Sequence, residues 1–220
     1  SLFLSICYMT NLWDFPTFFG TTLVMLLVFH WRAHSTPLES LVRSGIQGIQ
    51  IAILAMVFAS PFLVSFANFS EGIRWVHSHT PIYQLLVLWG CPLAFVALFL
   101  ASIILLRPHS GYSAEAQFGR SWAEHLRRLP AADAYVGLIC VCAIGLILLP
   151  EFIYVKDIYD ANQYRANTMF KLTFQASVLL CFAVGYIVPR ILLKRRGSQI
   201  MALGEHMMLL LLVPPMIYPY

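Results

Sequence analysis

The sequence has 220 residues, of which 60% are hydrophobic and 11% are charged, and its formal net charge is +4 at pH 7. A mean hydropathy of +0.75 excludes an ordinary soluble domain and is typical of a protein that crosses a membrane several times. The composition therefore predicts the lipid bilayer as a partner and gives no reason to expect nucleic acid.

Apolar segments long enough to span a bilayer recur along the chain, since a hydrocarbon core of about 30 Å needs roughly 20 helical residues. We expect an all-α polytopic transmembrane helical bundle in one domain over residues 1–220, with a partial span at residues 1–9. The chain begins without methionine and ends inside an apolar run, so we expect a fragment that lacks N- and C-terminal parts. The six further predicted spans are 15–31, 46–66, 82–106, 134–150, 171–189 and 205–220.

Basic residues are distributed unequally between the loops that join these spans. Ten of the fourteen Lys and Arg residues lie in 32–45, 107–133 and 190–204. By the positive-inside rule these loops are cytoplasmic, which predicts a multi-pass protein of the cell membrane. The polar sequence motifs then fall outside the cell, in loops 10–14, 67–81 and 151–170.

The first outer loop enters a span through the sequence NLWDFPT, residues 11–17. Asp14 can cap this helix, and Trp13 can anchor it at the level of the lipid headgroups. Alternatively, Asp14 and Asn11 face a water-filled cavity, as a base and a hydrogen-bonding group. The residues alone leave both interpretations open.

The second outer loop contains Glu71, Arg74, His77 and His79. Their spacing matches no metal-binding motif, and solvated loop residues before a helix start at Thr80 explain them well. We therefore assign no metal ligand and leave a divalent metal open as a cofactor.

The third outer loop, in LPEFIYVKDIYDANQYRANTMFK at residues 149–171, concentrates the scarce charges of the chain. We expect a helix from about Gln163 that carries a polar stripe into the membrane. Ionisable groups at that depth cost on the order of 2–3 kcal/mol and normally face an aqueous cavity. The alternative is that Lys171 snorkels to the interface and Gln175 binds a neighbouring helix. The predicted stripe consists of Tyr164, Asn167, Lys171 and Gln175.

Three stretches carry a resemblance to a known family: NLWDFPTF (11–18), TPIYQLLVLWG (80–90) and PEFIYVKDIYDANQYRANTMFK (150–171), the last followed by LTFQASVLL. They resemble the "YYY" family of uncharacterised prokaryotic integral membrane proteins, grouped with the GT-C glycosyltransferase-like superfamily. The family pattern has a Glu, a basic-Asp pair, Arg-x-Asn-Thr-x-Phe-Lys and an aromatic-Gln pair. The chain departs from it at Lys156, Ala166 and Ser177, where Arg, Met and an aromatic residue are usual.

The resemblance implies a GT-C-like bundle and a glycosyltransferase-like protein that uses a polyprenyl-phosphate-linked sugar donor at the outer membrane face. A carboxylate would deprotonate the acceptor, and basic groups would hold the lipid phosphate. The candidate catalytic residues are Asp14, Glu151 and Asp157. The candidate substrate-binding residues are Asn11, Trp13, Lys156, Arg165, Asn167, Lys171 and Gln175.

Two other functions stay open from the sequence. One is a transporter or flippase of a lipid-linked or anionic substrate, for which helices broken at Pro61 or Pro92 would be a sign. The other is a non-catalytic membrane scaffold, in which the polar groups would not converge.

Overall fold

The computed structural model describes residues 1–11, 13–33, 36–66, 72–105, 126–156 and 163–193. Within these ranges the chain is almost entirely helical, which confirms the predicted all-α membrane fold class. One small two-stranded antiparallel sheet, which the sequence did not predict, joins distant loops. The helices are α1 (Leu2–Thr10), α2 (Asp14–Ala33), α3 (Pro37–Leu63), α4 (Ile82–Leu105), α5 (Ala131–Phe152) and α6 (Ala166–Leu193), and the strands are β1 (Ile73–Trp75) and β2 (Ile153–Val155).

Four of these helices are long and apolar enough to cross a membrane: Pro37–Leu63, Ile82–Ile103, Ala131–Phe152 and Ala166–Ile191. They coincide with the predicted spans that begin at residues 46, 82, 134 and 171. The predicted span 15–31 corresponds to α2, whose polar ends at Asp14 and Arg32 shorten its apolar stretch. The predicted span 205–220 lies outside the described residues.

Helix α3 begins at Pro37, well before the apolar segment that predicted it. Proline is favourable in a first helical turn, and the hydroxyls of Ser40 and Ser44 donate to the carbonyl oxygens four residues earlier. A hydropathy pattern detects only the apolar part of such a helix. The polar first turns of α3 were therefore missing from the predicted span.

Helices α4, α5 and α6 share one apolar core. Small side chains at its centre, Cys140 and Ala143 on α5 and Ala176 and Ala183 on α6, are completely buried. Small residues let membrane helices approach closely, which increases their van der Waals contact. Larger side chains complete this core: Phe95, Val96, Phe99, Val136, Ile139, Ile147, Leu180, Ile187 and Ile191.

Helix α3 packs against α1 and α2 through another line of small side chains. A Cβ atom added to Gly48 would lie 2.3 Å from Leu23 Cδ2, so α2 and α3 are in close contact here. The opposite face of α3 leaves apolar side chains such as Ile49 and Val57 exposed, as expected of a lipid-facing surface. The buried line on α3 consists of Ser40, Ser44, Gly48, Ala55 and Ala59.

A buried ion pair joins the first turn of α5 to the last turns of α6. Asp133 is 2% exposed. Its Oδ1 accepts hydrogen bonds from Arg190 Nε at 2.8 Å and from the Tyr186 hydroxyl at 2.7 Å. Arg190 Nη2 donates to the other carboxylate oxygen. This interaction fixes the two helices at the end of the bundle opposite the sheet.

Candidate functional site

The candidate site lies at the sheet end, defined as the end of the helices that carries β1 and β2. There, the corner between α1 and α2 contacts the start of α6. Asn11 Nδ2 donates to Asp14 Oδ1 at 2.8 Å, and Gln175 Nε2 donates to the same oxygen at 2.9 Å. Lys171 Nζ donates to Asn11 Oδ1 at 3.2 Å. We call these four residues the Asp14 cluster.

Local structure explains how the Asp14 cluster forms. The backbone of Asn11 is extended, with φ −151° and ψ 106°, and ends α1. The Trp13 amide donates to Asn11 Oδ1 at 3.4 Å, which directs the other side of the Asn11 amide toward Asp14. Lys171 and Gln175 are four residues apart on α6 and therefore lie on one helix face. All four side chains of the cluster are half-buried.

Hydrogen-bonding capacity is left over in the Asp14 cluster. Asp14 Oδ1 accepts two amide donors, whereas its Oδ2 accepts no hydrogen bond from the described residues. The Lys171 ammonium has three N–H groups, and among those same residues it donates only to Asn11. The cluster can therefore offer an acceptor oxygen and a cationic donor to a bound molecule.

A second polar cluster centres on Glu151, at the end of α5. Thr80 donates to its carboxylate twice, from the backbone amide at 2.8 Å and from the hydroxyl at 2.6 Å. Arg165 Nη1 donates to Oε2 at 3.0 Å, and Arg165 Nη2 donates to the Thr80 hydroxyl at 3.0 Å. We call Thr80, Glu151 and Arg165 the Glu151 clamp. These groups satisfy one another's hydrogen-bonding capacity. The clamp therefore holds the loop before α4 against the end of α5 and the start of α6.

His79 strengthens the same junction. Its Nδ1 lies 2.9 Å from the backbone oxygen of Glu151. A carbonyl oxygen can only accept, so Nδ1 carries a proton. We expected His79 to be a solvated loop residue, and this contact shows that its ring also ties the loop to α5.

The sheet completes the connection between the second and third outer loops. Strands β1 and β2 pair antiparallel, with Arg74 opposite Tyr154. Gly72 precedes β1 with φ +97°, a conformation that L side chains rarely adopt. Its carbonyl oxygen accepts the Lys156 amide at 2.9 Å, which extends the pairing by one hydrogen bond.

Tyr164 links the start of α6 to the loop after β1. Its hydroxyl oxygen accepts the backbone amides of His77 and Ser78 at 3.3 and 3.2 Å and lies 3.0 Å from the Ser78 hydroxyl. The Ser78 hydroxyl is the main cause of a lowered pKa for the Tyr164 phenol. We predicted Tyr164 inside the α6 helix, but α6 begins at Ala166. Tyr164 therefore contacts the loop instead of extending the polar stripe.

The structure thus brings the predicted site residues together in two groups. Asn11, Asp14, Lys171 and Gln175 form one, with Trp13 beside them. Glu151 and Arg165 form the other, together with Thr80, which the sequence indicated only as a helix start. The two groups lie at different heights of α6. Arg165 of the Glu151 clamp directly precedes the helix, whereas Lys171 lies about 7.5 Å of helical rise beyond its first residue, Ala166.

The other predicted site residues lie nearby or outside the described residues. Asn167 is half-buried in the first turn of α6, and Lys156 is exposed directly after β2. Asp157 lies outside the described residues. The catalytic and binding roles of all these residues stay predictions.

The model of a family described as uncharacterized membrane protein (DUF2298) matches residues 1–124 and 116–180 of the chain. The matched residues include every member of the Asp14 cluster and of the Glu151 clamp. Searches of curated proteins and of solved structures find no match to this chain. The apolar helices and the family match agree that this is a multi-pass membrane protein, and the chain belongs to the DUF2298 family of uncharacterized membrane proteins.

Proposed function

We propose that the protein is a membrane glycosyltransferase-like enzyme that takes a sugar from a polyprenyl-phosphate donor at the sheet end. The observation that carries the proposal is the Asp14 cluster, in which a carboxylate and an ammonium group approach the same asparagine side chain. Transfer of a sugar to a hydroxyl group needs a base for the acceptor proton and positive charge for the departing phosphate. The resemblance to GT-C proteins supports the same assignment.

In this proposal Asp14 is the general base. Its Oδ1 is occupied by two amide donors, which leaves Oδ2 to accept the proton of an acceptor hydroxyl. Asn11 and Gln175 would orient the carboxylate through these hydrogen bonds. Lys171 would bind a phosphate oxygen with its remaining N–H groups, since charge-assisted hydrogen bonds to phosphate are strong.

The Glu151 clamp has a supporting role in the proposal. Arg165 and Glu151 direct their hydrogen bonds toward each other and toward Thr80. They would keep the third outer loop in place beside the Asp14 cluster. Lys156, exposed directly after β2, remains a proposed phosphate ligand. By the distribution of basic residues, we propose that the sheet end faces outward from the cell.

No specific observation in the described residues favours a transporter or a membrane scaffold. Helix α4 continues through Pro92 without a break, and Pro61 lies in the last turn of α3, whereas an interrupted helix was the sign expected of a transporter. A scaffold would not require acidic, basic and amide groups to converge. We therefore retain the enzyme as the proposed function.

We expect Asp14→Asn in the full-length protein to reduce sugar transfer by roughly 10²–10⁴-fold, the usual contribution of a general base. Asparagine keeps an oxygen that can accept from Asn11 and Gln175, so the fold should be preserved. The measurement is transfer from radiolabelled polyprenyl-phosphate hexoses in reconstituted membranes. Arg43→Ala, at the opposite end of the bundle, is the matched control and should leave transfer unchanged.

Lys171→Gln tests the phosphate site separately. Loss of a charged hydrogen bond of about 1.5–3 kcal/mol should weaken the binding of polyprenyl phosphate roughly 10–100-fold. Binding can be followed by thermal stabilisation of the detergent-solubilised protein, with Arg43→Ala again as the control. A wild-type protein that polyprenyl phosphate does not stabilise would contradict the proposed function. Equal binding by wild type and Lys171→Gln would remove Lys171 from the phosphate site.

A further inference from the structure

One face of the sheet is entirely apolar. In the register of β1 and β2, Ile73 lies opposite Val155 and Trp75 lies opposite Ile153. Side chains of directly opposed residues share a face, and successive residues of a strand alternate between faces. These four side chains therefore form one surface, which we call the outer face of the sheet.

The other face of the sheet packs against the protein at β2, whereas Arg74 on β1 is exposed. Tyr154 lies on it, is buried, and contacts the ring of Tyr164 edge-on with ring centroids 4.6 Å apart. Tyr164 in turn accepts hydrogen bonds from the loop after β1. With the Glu151 clamp on the same loop, these contacts fix which way the outer face points.

On β1 the outer face is exposed, whereas Ile153 and Val155 on β2 are half-buried. Ile73 is 68% exposed and Trp75 is 74% exposed. Because a tryptophan side chain is large, most of a large apolar area is left uncovered at Trp75. Two more apolar side chains at the sheet end are exposed: Phe152, which directly precedes β2, and Ile82, which begins α4. On α4, Leu86 and Val87 are exposed as well.

We propose that the outer face of the sheet lies in the headgroup–acyl boundary of the lipid bilayer and anchors the sheet end there. Six residues separate β1 from α4, and α4 is one of the four helices long and apolar enough to cross the membrane. Strand β2 starts one residue after α5 ends, which puts the sheet at the depth where a span leaves the hydrocarbon. Tryptophan is enriched at that depth because its ring is amphipathic.

Size argues against a protein partner on this face. Two strands of three residues offer much less than the roughly 800 Å² per partner of a stable protein interface. Binding to a lipid interface needs no such minimum area, because each apolar side chain that enters the interface contributes its own favourable transfer free energy. Arg74, between Ile73 and Trp75 in sequence but on the other face, would keep its charged group in water.

Site-directed spin labelling of the full-length protein tests the anchor, with the native cysteines replaced by alanine. Labels at Ile73→Cys, Arg74→Cys and Trp75→Cys are compared in phospholipid nanodiscs for collision with oxygen, which concentrates in lipid, and with a water-soluble nickel chelate. We expect the ratio of oxygen to nickel collisions to be several-fold higher at positions 73 and 75 than at 74. Val87→Cys on α4 supplies the lipid-facing reference.

The alternatives give different patterns. High nickel accessibility at 73 and 75, equal to that at 74, would mean that the outer face is in water and would overturn the proposal. Low accessibility to both reagents at 73 and 75 would mean that protein covers the face and would also overturn it. Val155→Cys provides a second position on the outer face if the label at Trp75 disturbs folding. None of these outcomes depends on sugar transfer, so the anchor and the proposed function are tested independently.

Discussion

Glu151→Ala is expected to lower the free energy of unfolding by about 3–5 kcal/mol, the usual result of removing one partner of a buried ion pair. The Glu151 side chain is 8% exposed and that of Arg165 is 16% exposed. The substitution leaves the Arg165 guanidinium without its counter-ion and removes the acceptor of both Thr80 donors. Thermal or denaturant unfolding of the purified protein in detergent measures the change.

The exposed ion pair between Arg43 and Glu39 is the matched control for this prediction. Arg43 donates to Glu39 Oε1 at 2.9 Å, one helical turn apart on α3. Exposed pairs of this spacing contribute only about 0.3–0.5 kcal/mol, so Glu39→Ala should change stability little. Similar decreases in the free energy of unfolding for Glu39→Ala and Glu151→Ala would show that burial does not determine how much the Glu151 clamp contributes to stability.

Limited proteolysis can locate the effect of Glu151→Ala. The loop from Gly72 to Pro81 is held by the sheet, by Tyr164 and by the Glu151 clamp. Loss of the clamp should increase cleavage in this loop before the helices unfold, because local opening requires less free energy than global unfolding. An unchanged cleavage rate would mean that the sheet and Tyr164 hold the loop without the clamp.

Asp133→Ala should have a comparable effect, about 3–5 kcal/mol, at the opposite end of the bundle. It removes the carboxylate that accepts from Arg190 and Tyr186 and leaves both without this acceptor. The same unfolding measurement applies, but the 72–81 loop should keep its resistance to proteolysis. Proteolysis of this loop therefore distinguishes loss of the Glu151 clamp from loss of the Asp133 ion pair.

A double substitution identifies the cause of the Asp133 effect. Replacing a buried ion pair by apolar residues of similar volume is often neutral. Asp133→Leu combined with Arg190→Met should therefore recover most of the stability that Asp133→Ala loses. If the double variant is as unstable as the single one, the loss comes from packing at this position or from the Tyr186 hydroxyl that has lost its acceptor, and not from an unpaired charge.

The helices could be predicted from the sequence because their signal is local. Long apolar runs predicted α4 and α5 to within a few residues, since the bilayer sets a minimum length for a span. The spacing of Lys171 and Gln175 likewise placed them on one face of a helix. What these residues contact depends on a helix corner 160 residues earlier in the chain, at Asn11.

The sheet and the Glu151 clamp could not be predicted in the same way. Three residues are too few to show the alternation of a strand, and Ile73 to Trp75 includes an arginine. The charge of Glu151 drew attention to it, but its partner Thr80 is an ordinary helix-start residue in sequence. Such pairings are properties of the folded chain, and they decide which of the conspicuous charges hold the loops and which are left for a ligand.

The pairing of β1 with β2 also constrains the order of events during synthesis. Ile73 leaves the ribosome long before its partner Val155, a separation of 82 positions in the chain. At about 5–20 residues per second, translation of the intervening stretch takes roughly 4–16 s. For that interval Trp75 has no strand beside it, and α4 and α5 must both be delivered to the bilayer before the two strands can pair. Maturation of the candidate site is consequently a late, post-insertion step.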